Sequence, residues 1–323
     1  AALAAGALVA AQAAVAAGQT TVSLGQADLS GATTIASRLH GELLVAGQPV
    51  DARDQFLFVP RRQSDQFRSV IWGVGGDSGL TWLAMRQLRA AGFTYHLSHP
   101  SASGSVERLM ALCDLPLVCY AYRVMGGADD RGWRKDHWVK EVEDGCVYNP
   151  ELQQKASASV LRRIKNVIPY GVSLYSLGDE NYFDYESGFS PVGLQSFRAM
   201  LQRKYGTLQQ LNATWGTQFA NWEEVKPLPT ADAIKQGRWP AVHDHMSFNE
   251  QEYAFYHHFL REEIRKADPG AWVGAEGSVP GDLEETVAGL EIWGPYSDKR
   301  GNELLRSLVS PQVVRGNWWG GYV

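Results

Sequence analysis

The sequence predicts an α/β chain: a (β/α)8 TIM barrel, incomplete towards its C-terminus and preceded by a partial β-rich region. Two observations carry this. From about residue 66 onward, short apolar runs alternate strictly with amphipathic helical segments, the pattern of a parallel sheet wrapped by helices. Before that point the pattern has period two, with Gly-containing breaks, as in short antiparallel strands.

The elements follow in order. Residues 1–17 are Ala-rich and carry no charge. They read either as the apolar part of a secretory signal or as an Ala-rich helix. Residues 18–65 form the β-rich region and linker, with strand-like Thr21–Leu24, Leu43–Val45 and Phe56–Val59, taken as the remnant of a sandwich. Residues 66–323 form the barrel. Its strands are Ser69–Val74, Phe93–Leu97, Pro116–Tyr122, Gly171–Leu177, Ala271–Ala275, Glu291–Trp293 and Val313–Val314. Helices fall at Leu80–Ala91, at Ser105–Leu112, and from Asn149 (an N-cap with Pro150 at the first helical position) to about Val167. Further helices follow at 194–205, 208–213 and 247–266. Seven strands are found. With no initiating Met, the chain reads as a fragment cut at both ends. The rival, a doubly wound sheet, favours a GxGxxG loop after the first strand, and Gly73-Val74-Gly75-Gly76-Asp77 does not fit it.

Composition narrows the function. A net charge of -5 without a basic stripe argues against a nucleic-acid partner, and no second apolar run reaches membrane-spanning length. Three cysteines, Cys113, Cys119 and Cys146, show neither metal-ligand spacing nor an even count. His243 and His245 are two apart and cannot share a helix face, so His243-Asp244-His245 reads as a helix entry rather than a metal site. The 11 Trp and 13 Tyr suit a sugar cleft as well as a large core.

Barrel enzymes carry their chemistry just past the C-terminal ends of the strands. Asp179 and Glu180 stand there after the fourth strand, and glycoside hydrolysis needs a carboxylic acid beside the leaving oxygen and a second carboxylate opposite it. Other residues near strand ends outline a saccharide cleft: Trp72, Asp77, His96, His99, Tyr122, Arg123, Trp293, Tyr296, Trp318 and Trp319.

Residues 146 to about 277 resemble the catalytic domain of glycoside hydrolase family 42, the β-galactosidase-like group of clan A. The segments that carry the resemblance are Cys146–Glu151, Leu177–Tyr182, the run Phe197–Asn212 (FRAMLQRKYGTLQQLN), Ala213–Phe219, Trp222–Val225 with Pro227, and Val242–Phe248. The string KYGTLQQLNATWGT is the most specific of them. The resemblance implies a retaining hydrolase of terminal β-glycosidic bonds with Glu180 as acid/base. It also implies that Arg123 binds sugar hydroxyls, that the subunits form a homo-oligomer, and that no cofactor is needed. The family places Asn before the acid/base, where it bonds the sugar 2-OH; this chain has Asp179 there, followed by Asn181. The family nucleophile ends the seventh strand, yet Val313–Val323 holds no acid. Glu276 is the fallback, with a supporting hydrogen-bonding role the more expected one. Where the family has a Cys cluster for zinc, Ser187-Gly188-Phe189-Ser190 predicts none. The alternative function is a non-catalytic carbohydrate-binding barrel that has lost its nucleophile. The Ala-rich start and the aromatic content lean towards a secreted or periplasmic location.

Overall fold

The computed structural model describes residues 34–62, 67–73, 79–128, 134–136, 144–183, 187–277, 281–295, 299–308 and 310–316. The Ala-rich segment, the strand expected at Thr21–Leu24, and Asp77, Tyr296, Trp318 and Trp319 lie outside the described residues.

The chain begins with a hairpin. Strands β1 (Ala36–Val45) and β2 (Gln48–Phe58) are antiparallel. They are joined through Ala46 and Gly47, both at positive φ (51° and 78°), the backbone that a two-residue hairpin turn requires. The sandwich remnant expected from the sequence is a single hairpin among the described residues. Leu39, Leu43 and Leu44 are about half exposed, and no second sheet among the described residues covers them. Its base is anchored: the Ile35 amide donates to Asp114 (3.0 Å), and Arg62, just past β2, pairs with Asp268.

Then comes the half-barrel. Strands β3 (Val70–Trp72), β4 (Tyr95–Ser98), β5 (Leu117–Tyr120), β8 (Val172–Asp179), β10 (Val273–Glu276), β11 (Ile292–Gly294) and β12 (Val314–Arg315) form one parallel sheet whose spatial order is their order in the chain. That is the topology of a (β/α)8 barrel short of one strand. Helices α1 (Gly79–Ala90), α2 (Ser105–Leu112), α3 (Pro150–Ile164), α7 (Trp239–Ala267), α8 (Leu283–Val287) and α9 (Lys299–Leu308) fill the connections. Helices α4 (Pro191–Tyr205), α5 (Leu208–Trp215) and α6 (Thr230–Lys235) form an inserted unit between β8 and α7. A small sheet of β6 (Met125–Ala128), β7 (Arg134–Asp136) and β9 (Tyr182–Phe183) sits beyond β5 and β8.

Local chemistry explains the boundaries. Asn149 caps α3 by accepting from the Glu151 amide (3.0 Å), with Pro150 at the first turn, as the sequence predicts. Ser190 and Thr207 cap α4 and α5 in the same way; each such cap is worth about 1 kcal/mol. Helix α7 starts eight residues before the expected 247, because Pro240 occupies an N-terminal turn position where its missing N–H costs nothing. Strand alternation separates two faces. Leu117, Cys119, Val172, Tyr175, Val273 and Ala275 join the core under α3 and α7 with Val160, Ile164, Tyr256 and Leu260. Val118 and Tyr120 turn to the other, concave face, where they pack with Tyr95, Leu97, Trp72 and Leu174. In the concave set, Tyr120 and Trp72 stand at the C-terminal ends of their strands.

Candidate active site

A β-bulge in β8 builds the site. Ser176 pairs in register with Gly274, but Asp179, not Gly178, pairs with Glu276: β8 spends one residue more than β10 over the same stretch. Gly178 takes up the extra residue at φ 124°, and a Cβ there would stand 2.7 Å from the Arg123 Cα. Without the bulge Asp179 would face the helices; with it, Asp179 lies level with Glu276 on the concave face.

Glu180 follows at the tip. Its φ is 53°, the left-handed region that a non-glycine residue enters at a cost of about 1–3 kcal/mol. Its neighbours hold it there. Tyr120 accepts the Asp179 amide through its hydroxyl (2.9 Å), and Arg123 donates through Nε to the Asp179 carbonyl (2.9 Å). The Asn181 Oδ1 accepts the Val124 amide (3.2 Å), while its Nδ2 donates to the Leu177 carbonyl (3.2 Å) and meets His257 Nε2 (2.9 Å). His257 Nδ1 reaches the Tyr253 carbonyl (2.9 Å), so Nδ1 carries the proton and Nε2 accepts from Asn181. Burial drives His257 down to about 4, outweighing the help of the Tyr253 carbonyl, so the ring is neutral. The Glu180 side chain itself is 59% exposed and paired with Arg123 Nη2 at 3.1 Å.

Two features surround the tip. Trp72 stacks on Tyr120 (centroids 5.5 Å, planes 25° apart) and His99 leans on the same ring (4.6 Å). Burial pushes the Tyr120 hydroxyl up to about 12, keeping it protonated, and lowers His99, with the Arg163 charge adding to the effect. Glu276 is buried. Its Oε1 accepts from the Ser176 hydroxyl (2.7 Å), which in turn accepts the Gly178 amide (3.0 Å). Burial raises Glu276 to about 8, against the Ser176 hydrogen bond and with the help of the Asp179 charge. Burial and the neighbouring charge both favour its neutral form.

The sequence-predicted residues divide accordingly. The structure brings Asp179, Glu180, Arg123, Glu276 and Trp72 to the same end of the sheet. It corrects three others. Tyr122 is fully buried, its hydroxyl 3.1 Å from that of Tyr256 on α7. Trp293 pairs in register with Ala275, on the helix-facing side, with its ring against His257. Asn181 is buried as the clamp just described. Strand parity, read one residue at a time, separates Trp293 from its neighbours Ile292 and Gly294. Reasoning from sequence missed Tyr120, Ser176 and His257. Parity could have found the first two, whereas nothing local marks His257.

At the Ser187 stretch, the Ser187 hydroxyl lies between Glu252 and Asn249, the Cys146 thiol donates to Glu252 (3.2 Å), and His245 Nε2 meets the Ser187 carbonyl (2.6 Å). Among the described residues no group of three or more His, Cys, Asp or Glu is placed to hold a metal. His243 is exposed and His245 buried, on different faces of α7. No described helix is long and apolar enough to cross a membrane.

Residues 147–287 match the family model of glycoside hydrolase family 42, described as beta-galactosidase. Among solved structures, the chain resembles the beta-galactosidase from Rahnella sp. R3 at 12% identity and a TM-score of 0.55, over 72% of this chain and 40% of that one. It also resembles the beta-galactosidase from Bacillus circulans sp. alkalophilus at 15% identity and a TM-score of 0.51, over 75% of this chain and 42% of that one. At these identities the likeness is one of fold, and the chain spans about two fifths of either relative. No curated protein matches it.

Proposed function

Taking residues 147–287 as a stretch of glycoside hydrolase family 42, we propose that the protein is a retaining, β-galactosidase-like hydrolase of terminal β-glycosidic bonds in oligo- or polysaccharides, with Glu180 as acid/base. The observation that carries this is the strained, exposed Glu180 at the end of the fourth barrel strand, held by Arg123, Tyr120 and Asn181. Backbone strain persists where surrounding structure overdetermines it, and such places cluster at functional sites.

The chemistry runs in two halves. Glu180 gives its proton to the glycosidic oxygen as a carboxylate attacks the anomeric carbon; the C–O bond breaks and the aglycone leaves as an alcohol. Water then attacks the glycosyl ester, Glu180 takes its proton, and the sugar leaves with β configuration retained. The family places the attacking carboxylate in the seventh-strand region, and Val313–Val323 does not supply it. The Trp72–Tyr120 stack supports a sugar face, and Arg123 supports its hydroxyls.

The test is hydrolysis of a panel of aryl β-glycosides by the protein and by Glu180→Gly, with and without azide. Cleavage by the wild type, loss in the variant and rescue by azide as a β-glycosyl azide are expected. Cleavage unimpaired in Glu180→Gly overturns the assignment. Binding of sugars without any cleavage moves the protein to a non-catalytic carbohydrate-binding barrel.

A further inference from the structure

Glu276 is a buried acidic side chain on the concave face that the proposed reaction does not use. Its environment is specific. On β8 it faces Ser176, whose hydroxyl donates to Oε1, and Asp179, its register partner. Adjacent parallel strands lie about 4.8 Å apart and paired residues share a face, so the two residues are neighbours, and the Asp179 charge is close enough to raise Glu276. On β5 the ionisable neighbour is Tyr120, which stays protonated, with Arg123 just beyond it turned to the Asp179 carbonyl and Glu180. Among the described residues the other flank has no side chain at this level. Gly294 of β11 is the register partner of Glu276, and a Cβ there would stand 3.6 Å from the Glu276 Cβ; Gly316 lies next to Gly294. Arg315 of β12 pairs in register with Trp293 and so belongs to the opposite face of the sheet.

An ionised carboxylate such as Asp179 accepts hydrogen bonds and cannot donate. A sugar hydroxyl is held best when one neighbour accepts its proton and another donates to its oxygen. With Oε1 of Glu276 already accepting from Ser176, its second oxygen is the natural seat of a proton. We propose that Glu276 is not a nucleophile but a neutral, hydrogen-bond-donating acid, which with the Asp179 carboxylate forms a one-proton pair that positions a ligand hydroxyl beside Glu180. Burial and the Asp179 charge both favour the neutral form. The inference rests on the glycosidase reading for the identity of its ligand, and on the geometry alone for the state of Glu276.

Two measurements on the whole chain test it. The first is infrared difference titration of wild type against Glu276→Gln, following the carbonyl band of a protonated carboxyl. A band absent from the variant and bleaching with a midpoint of about 8 is expected. In Asp179→Asn, which removes the like charge, that midpoint falls. A Glu276 band that bleaches near the ordinary 4.5, or an Asp179→Asn midpoint that stays put, overturns the pair. The second is the pH dependence of affinity for a non-hydrolysable thio-β-galactoside. In the wild type affinity falls about tenfold per pH unit above the midpoint, because only the protonated form donates. In Glu276→Gln, whose amide donates at every pH, that fall is absent. A parallel fall in both proteins, or no binding by the wild type at any pH, overturns the role in positioning. Expected midpoints with thiogalactoside binding but no cleavage of aryl glycosides sink the hydrolase reading and leave the pair standing; cleavage with a Glu276 midpoint near 4.5 does the reverse.

Discussion

Two regions of this molecule answer different demands. The turn after β8 keeps a charged residue exposed in an unfavourable backbone conformation. The unit formed by α4, α5 and the start of α7 buries a charge and satisfies it. There, Asp244 is 1% exposed and accepts from the Lys204 ammonium, the Tyr205 hydroxyl (2.7 Å) and the Trp215 indole N–H (2.8 Å). Lys204, Tyr205 and Trp215 all lie in the string KYGTLQQLNATWGT, and Asp244 lies in the Val242–Phe248 pattern. The segments that carry the resemblance to glycoside hydrolase family 42 are thus two halves of one lock, completed by Phe197, Leu211 and Phe248. They hold structure together, and Glu180, the proposed acid/base, lies elsewhere. A signature can be specific because packing constrains it, with no part in the chemistry.

The comparison is broken most directly at Glu180. Replacing it by Gly removes the proposed acid/base, a role that typically contributes 10²–10⁴-fold, so kcat/KM should drop about a thousandfold. The same change relieves φ 53° and should leave the protein as stable or about 1 kcal/mol more so, read by urea unfolding. A variant that loses activity together with stability would make the turn structural after all. Asp244→Ala should give the reverse. It frees the exposed Lys204 and leaves the Tyr205 hydroxyl and the Trp215 indole N–H without their acceptor, so it should cost about 1–3 kcal/mol. The fraction that still folds should keep its KM. A kinetic defect out of proportion to the unfolded fraction would join the two regions.

A third test concerns the joint between them, since His257 of α7 holds Asn181 in the turn. Its ordinary value is 6.5, and burial lowers it in the folded protein to about 4. The unfolded chain therefore takes up the proton first as pH falls. The stability His257 contributes is complete above 6.5 and is lost progressively as pH falls towards 4. At about 1.4 kcal/mol per unit, roughly 3 kcal/mol is at stake. Urea midpoints across that range should slope down in the wild type and flatten in His257→Gln. Equal slopes would show that the acid sensitivity lies elsewhere.

How much of this was legible in the sequence follows from the range of each signal. Alternation of strand and helix is local, and it placed all seven barrel strands within about two residues; the Asn149–Pro150 cap was legible for the same reason. That Glu180 stands just past the fourth barrel strand was legible too. The bulge was not, because Gly178 alone does not say which strand carries the extra residue; that is decided by pairing with β10, almost 100 residues away. Trp293 and Tyr122 misled because being aromatic and near a strand end does not fix the face. Parity does, and on it Trp293 falls with Ala275. Asn181 misled because its partner His257 lies 76 positions along the chain.

The smallest expected effect is at Tyr120, where the two readings of a buried hydroxyl separate. If the group only fills space, Tyr120→Phe is silent, since the ring still stacks on Trp72 and packs with Leu97 and Val118. If it supports the turn, its removal leaves the Asp179 amide without the acceptor now 2.9 Å away, at a cost of about 1 kcal/mol in stability. The turn can relax that donor only by moving Asp179, and with it the backbone next to Glu180. Small misplacements of a reacting group cost more in rate than in binding. Tyr120→Phe should therefore lower kcat about tenfold while KM changes less than twofold, with azide still unable to stand in because the acid itself is present. A change confined to KM would assign the hydroxyl to the ligand instead of the turn.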